Sequence, residues 1–180
     1  MKNILAIILL FLSTTILTAN ERDAQLDKLF NELKRNTSSS SSIVQKIWTL
    51  WSTHPTDEKL TSILDEGSRL VQDQKLAKAI EIFTDVIKMD PTWAEAWNKR
   101  ATVYYMIGEF QKSQDDIDKV LELEKRHFGA LAGQGLVNIQ LKNYEKAILS
   151  YKKAQEIYPS MQSPKTMIKQ IENLIKQELI

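Results

Sequence analysis

Three consecutive stretches, residues 60–93, 94–127 and 128–161, repeat one pattern at a spacing of 34 residues. A period of that length, with small residues at fixed places, marks helix-turn-helix units that cannot bury their apolar faces alone and so stack into a solenoid. The register holds along the whole repeat. Position 8, where the two helices of a unit cross, is Gly67, Ala101 and Gly135, each too small to hold two backbones apart. Position 20 on the facing helix is Ala79, Ser113 and Ala147, and one turn later come the bulky Phe83, Ile117 and Tyr151. That is the i, i+4 spacing of a single helical face. Pro91 and Pro159 close the first and third units, because proline lacks a donor and restricts the residue before it; the middle unit has Lys125 there.

These residues resemble the tetratricopeptide repeat family over roughly residues 60–161. The middle unit matches best: Ala94 opens it, Trp97 stands at the family's tryptophan, Tyr104 and Tyr105 near the end of the first helix, Gly108 in the turn, then Phe110. Departures are Arg100 where leucine is commoner (Glu66 and Gln134 in the other units), Ser113 for alanine, and Lys125 for proline. The resemblance implies an all-α, right-handed superhelical solenoid of antiparallel helix pairs and a role in binding rather than catalysis. The phrase His127-Phe128-Gly129-Ala130-Leu131 is similar to one found in exported tetratricopeptide proteins of alphaproteobacteria.

Residues 1–19 have another character. Lys2 gives a positive start, Ile4 to Leu12 is apolar, and Ser13 to Ala19 turns small and polar. This is the layout of a secretory signal peptide, its apolar run short for a bilayer that needs about twenty residues. Cleavage after Ala19 is expected, retention as an anchor being the alternative. An exported chain reaches the periplasm if bacterial, the secretory pathway otherwise. The chain has no cysteine, which excludes disulfides and thiolate chemistry. Lys2 is the only charged residue of the leader, so its loss leaves 23 basic and 23 acidic residues. That balance argues against general binding to nucleic acid or to an acidic membrane.

Residues 20–59 read as a degenerate helical pair capping the solenoid. Leu26, Leu29, Phe30 and Leu33 share one face, residues 36–42 with their five serines read as a loop, and Ile43, Ile47, Leu50 and Trp51 resume helical spacing until His54-Pro55. Trp48 and Trp51 are alternative candidates for a partner anchor. Residues 162–180 read as a capping helix, with Ser163 as N-cap, Pro164 at the first helical position, and Met167, Ile168, Ile171, Leu174 and Ile175 on the apolar face.

In such a solenoid the first helix of each unit lines the concave side, exposing repeat positions 2, 5, 9, 12 and 13. The first unit offers Thr61, Leu64, Ser68, Val71 and Gln72; the middle one Glu95, Asn98, Thr102, Tyr105 and Met106; the third Gly129, Ala132, Leu136, Ile139 and Gln140. Asn98, Thr102, Tyr105, Ala132 and Leu136 are the candidate peptide groove: an amide that both donates and accepts, and flat or aliphatic walls. Relatives that grip the carboxyl-terminal tails of heat-shock chaperones use a carboxylate clamp of lysines, arginine and asparagines. Here the corresponding places hold Leu64, Ser68, Thr102, Gly129 and Gly133, with only Lys99 and Asn98 of suitable type. That clamp is therefore not expected.

Arg100 invites a functional role, but a half-buried charge needs a partner. Asp116 on the second helix of the same unit is the expected one, the two forming a structural ion pair. His54 and His127 are the only histidines and sit in separate loops, so no metal site is expected. No glycine-rich phosphate loop or nucleophile elbow occurs, and no cofactor is expected. The reading is a non-catalytic adaptor that holds a peptide or partner helix in its groove, in the cell envelope. A structural or self-associating element, forming a homo-oligomer, is the alternative.

Overall fold

The computed structural model describes residues 21–35 and 38–178, and among the described residues there is no strand. The leader assigned to residues 1–19, with Asn36 and Thr37 of the expected loop, lies outside them. Residues 21–34 are helical (α1), followed by α2 (Ser40–Ser52), α3 (Glu58–Gln72), α4 (Leu76–Met89), α5 (Ala94–Met106), α6 (Phe110–Leu123), α7 (Phe128–Gln140), α8 (Tyr144–Ile157) and α9 (Gln162–Glu178). The chain divides into two compact units between Thr61 and Ser62, within α3. No helix among the described residues is long and apolar enough to cross a membrane.

The first unit buries Leu26, Leu29, Phe30 and Leu33 from α1 and Ile43, Ile47 and Trp51 from α2. Phe30 meets Trp51 with ring centroids 5.8 Å apart, and Trp48 stands edge-on to Trp51 at 5.3 Å. Two expectations change. Ser40, Ser41 and Ser42 are helical, and Ser40 is buried; serine costs little in a first helical turn, where backbone donors are unpaired in any case. Trp51 is only 3% exposed, so it anchors this unit's own core and not a partner. At the unit's end Asp57 caps α3, accepting from the Lys59 and Leu60 amides at 2.8 and 3.1 Å.

In the second unit each repeat closes on a small-to-large fit. An added Cβ on Gly67 would run into the Phe83 ring, and one on Gly135 would stand 2.6 Å from the Tyr151 ring. In the middle unit alanine replaces glycine and isoleucine replaces the aromatic: Ala101 and Ile117 share one buried cluster. The two positions vary together in volume, as close packing requires. Ala79, Ser113 and Ala147 are all buried. Ser113 is accommodated there because its hydroxyl donates to the Ala101 carbonyl at 2.8 Å.

The turns are set by backbone geometry more than by residue type. Repeat position 15 is left-handed in every unit, with φ of 59° at Gln74, 79° at Gly108 and 59° at Lys142. The next residue's amide then reaches back five places: Lys75 to Leu70, Glu109 to Tyr104, Asn143 to Asn138, at 2.8, 2.9 and 2.7 Å. The second helices likewise end alike, at Met89, Leu123 and Ile157, although only two units carry proline. In the middle unit the Glu124 carboxylate accepts from the Arg126 amide at 2.9 Å, as Asp90 accepts from Thr92 at 2.8 Å. An acidic residue closing the turn thus does without Pro.

α5 packs chiefly on α6 and α7 on α8, with α4 on α5, α6 on α7 and α8 on α9 joining successive pairs. The last helix starts one residue before Ser163, so Pro164 is its third residue and Ser163 is no cap. Proline is harmless there too, since no amide of the first turn has an intrahelical acceptor. Ile171 is buried with Ala147 and Tyr151, and Met167, Ile168 and Ile175 pack around them, but Leu174 stays 40% exposed.

Candidate functional site

α5 and α7, the first helices of the second and third repeats, are neighbours, and a cavity of about 80 Å³ opens between them. Asn98, Thr102 and Tyr105 border it from α5 and Leu136 from α7, four of the five expected groove residues. Ala132 is elsewhere: it packs against the cluster of Ala147, Tyr151 and Ile171 beside α9. The third repeat's position 5 is thus used to seat the last helix. Two other exposed placements fail, since Leu64 is fully buried and Glu95 is 1% exposed.

The remaining lining includes Gly129 and Gly133, one helical turn apart on α7, and the apolar Ile117 and Val137. Every lining residue is neutral. An added Cβ on Gly133 would find only Ile117 nearby, at an ordinary 3.6 Å, so the glycine leaves open width rather than avoiding a clash. The i, i+4 pair of glycines was the sequence signal for this wall. Thr102 donates its hydroxyl to the Asn98 carbonyl at 2.9 Å, so its oxygen is left as an acceptor.

Beneath the groove is a buried polar group that sequence reasoning missed. Glu95 Oε2 accepts from Asn98 Nδ2 at 3.0 Å and lies 3.1 Å from His127 Nε2, while Oε1 is 3.4 Å from Lys99 Nζ. His127 Nδ1 accepts the Ala130 amide at 3.0 Å, capping α7. A ring nitrogen that accepts is unprotonated, so the imidazole proton sits on Nε2 and is donated to Glu95. Burial by itself would raise the Glu95 carboxyl. The His127 hydrogen bond, with the Lys99 charge and the Asn98 amide, reverses this and holds it below its ordinary 4.5. No local signal marks this group in the sequence, because histidine is not among the preferred cap residues and Glu95 lies 32 residues away from it.

Arg100 donates through Nε and Nη2 to the two Asp116 oxygens, each at 2.8 Å, and through Nη1 to Thr84 at 3.0 Å. Its guanidinium also lies 5.1 Å from the Trp97 ring centre. Trp97 itself is fixed by donating to the Pro91 carbonyl at 3.0 Å. Burial pushes the Asp116 carboxyl up even though Arg100 pulls it down. The pair therefore links α5 to α6 without a large net gain in stability.

Gln134 takes the equivalent place one repeat later. It accepts from Ser150 at 2.8 Å, donates to Asp118 at 3.3 Å, and borders a polar cavity of about 330 Å³. Asn138 and Gln114 join the same network at 3.0 Å. Its members satisfy one another, as structural amides do. Among the described residues no three His, Asp or Glu side chains gather to hold a metal ion.

Comparison with known proteins agrees with the repeat geometry. The profile of the tetratricopeptide repeat family matches residues 64–113 and 99–161. A TPR repeat-containing protein of Rhizobium etli is 30% identical over 138 residues, covering 76% of this chain and 67% of that one. Hsp70-Hsp90 organizing protein 1 of Glycine max is 29% identical over 98 residues, 54% of this chain but only 17% of its own length. Among solved structures, the first TPR of Spaghetti (RPAP3) bound to HSP90 peptide SRMEEVD has a TM-score of 0.64 at 19% identity, over 66% of this chain and 94% of that one. MamA has a TM-score of 0.61 at 20% identity, over 76% and 84%. At such identities these structures speak for the fold.

Proposed function

Because the chain belongs to the tetratricopeptide repeat family, we propose that it is a non-catalytic protein-interaction scaffold whose ligand is an extended, uncharged peptide segment held between α5 and α7. The observation that carries this reading is the neutral, open-walled cavity bordered by Asn98, Thr102, Tyr105 and Leu136. With one Asn98 amide proton committed to Glu95, its oxygen and second proton remain to bind the N–H and C=O of one peptide residue. Tyr105 and the 37% exposed Leu136 supply apolar walls for a side chain.

The RPAP3 domain named above is bound to an acidic peptide. An acidic tail does not suit this groove: its lining has no cation, and the nearby Lys99 is directed to Glu95. The desolvated carboxylates of such a tail would go unpaired.

Panning a displayed random peptide library against the full chain tests this. Selected peptides should share an apolar residue with neutral neighbours, bind without a free carboxyl terminus, and weaken at least about tenfold on Asn98→Ala. Selection of acidic carboxyl-terminal sequences indifferent to Asn98 would refute it. The same proposal includes export to the cell envelope, supported by the pattern of Lys2, Ile4 to Leu12 and Ser13 to Ala19. Residues 1–25 fused to a reporter active only outside the cytoplasm should give activity, lost when Leu9 and Leu10 become arginine; a silent fusion would refute export.

A further inference from the structure

We propose that Glu95 and His127 are positioning residues for the groove: they lock the Asn98 carboxamide in one orientation and tie it to the start of the next repeat. The proposal rests on the peptide-groove reading and names the device that makes Asn98 a directional reader.

Four groups form a single chain. The Ala130 amide donates to His127 Nδ1 at 3.0 Å, His127 Nε2 donates to Glu95 Oε2 at 3.1 Å, and Asn98 Nδ2 donates to that same oxygen at 3.0 Å. Each link has a fixed sense. A carboxylate only accepts, so it takes the nitrogen of the Asn98 amide and repels its oxygen; a flipped amide would set two oxygens face to face. The ring, with Nδ1 occupied by a donor, presents its proton at Nε2 alone. Glu95 and His127 are 1% and 0% exposed, so water does not compete for these bonds.

The chain also crosses a repeat junction. Asn98 and Glu95 belong to α5, whereas His127 caps α7 and Ala130 lies in its first turn, and Asn98 and Ala130 both border the cavity. The separation of the two groove walls is thereby set through buried hydrogen bonds. Lys99, 3.4 Å from Oε1 and partly in solvent, adds its charge to the stronger pull of the His127 hydrogen bond. The same two repeat positions hold Thr61 with Trp93 in the first unit and Gly129 with Met161 in the third, neither of which can form this pair. The device is specific to the second junction.

The test combines nitrogen-detected NMR of the full chain with binding of a fluorescent peptide taken from the library selection. The free protein should show His127 as the Nε2–H tautomer and two well-separated, slowly exchanging Asn98 side-chain protons. In Glu95→Ala those protons should move together, and peptide binding should weaken about tenfold. Glu95→Gln, which keeps an acceptor, should restore most of that affinity. In an Asn98→Ala background Glu95→Ala should change binding no further, which a general loss of structure would not produce. An Nδ1–H tautomer, or a full further loss in the Asn98→Ala background, would overturn the proposal. A peptide indifferent to Asn98→Ala alone refutes the groove itself, while the tautomer and the amide signals still decide whether the lock exists.

Discussion

Arg100 and Gln134 occupy the same slot in successive repeats, each reaching forward to a partner on its own unit's second helix and back to a partner on the preceding unit. Arg100 reaches Asp116 and Thr84; Gln134 reaches Ser150 and Asp118. One slot is charged and the other is not, and they should respond differently to loss. Arg100→Leu alone leaves a buried carboxylate unpaired and should cost about 3 to 5 kcal/mol in denaturant unfolding. Arg100→Leu combined with Asp116→Ala should cost far less than the sum, and Gln134→Leu about 1 kcal/mol. Additive losses would mean that the ion pair carries no coupling.

The left-handed turn residues predict a contrast of another kind. Gly108 has nothing within 4 Å of an added Cβ, so Gly108→Ala should cost about 1 kcal/mol through backbone conformation alone. Lys142→Gly, at the same turn one repeat on, should stabilise by about the same amount. Thermal melts of the two variants moving in the same direction would contradict this.

At the third crossing, Gly135→Ala forces a carbon against the Tyr151 ring and should destabilise by about 1 to 3 kcal/mol. Pairing it with Tyr151→Leu should recover stability, because the middle repeat already uses Ala101 with Ile117. The Tyr151 hydroxyl is buried without a protein partner, and burial pushes its ionisation up. Above pH 10 the unfolded chain loses that proton before the folded one does, so stability should fall with rising pH and fall less in Tyr151→Phe.

Glu95 gives the acid-side prediction. A carboxyl whose folded pKa is depressed stabilises fully above its ordinary value of 4.5 and loses that contribution as pH falls through the lower folded value. The stability difference between the wild type and Glu95→Gln should therefore shrink as pH falls below about 4.5, where the unfolded carboxyl takes up its proton first. A difference constant over that range would show that the carboxylate is no more favoured in the folded chain than in the unfolded one.

The repeat was legible in the sequence because its cause is local and periodic: Gly67, Ala101 and Gly135 announce close crossings, and Phe83, Ile117 and Tyr151 announce what fills them. Arg100 pointed to Asp116 because a charge in an apolar slot demands a partner. Burial at repeat position 2 was not legible. Glu95 looks like a surface charge until His127, 32 residues later, is known to point at it. Ala132 was misplaced for a similar reason, since α9 covers the third repeat's first helix and only three-dimensional packing reveals which small residues it uses. The serines of α2 misled because composition alone cannot tell a loop from a tolerated first turn.

The most direct test of the groove is photocrosslinking in intact cells, with a photoreactive phenylalanine analogue placed singly at Thr102, at Leu136, or at Gln111 bordering the polar cavity away from the groove. A scaffold that holds its ligand between α5 and α7 predicts one shared adduct from Thr102 and Leu136, lost on Asn98→Ala, and none of that size from Gln111. The same adduct from all three sites, or from Gln111 alone, would contradict it.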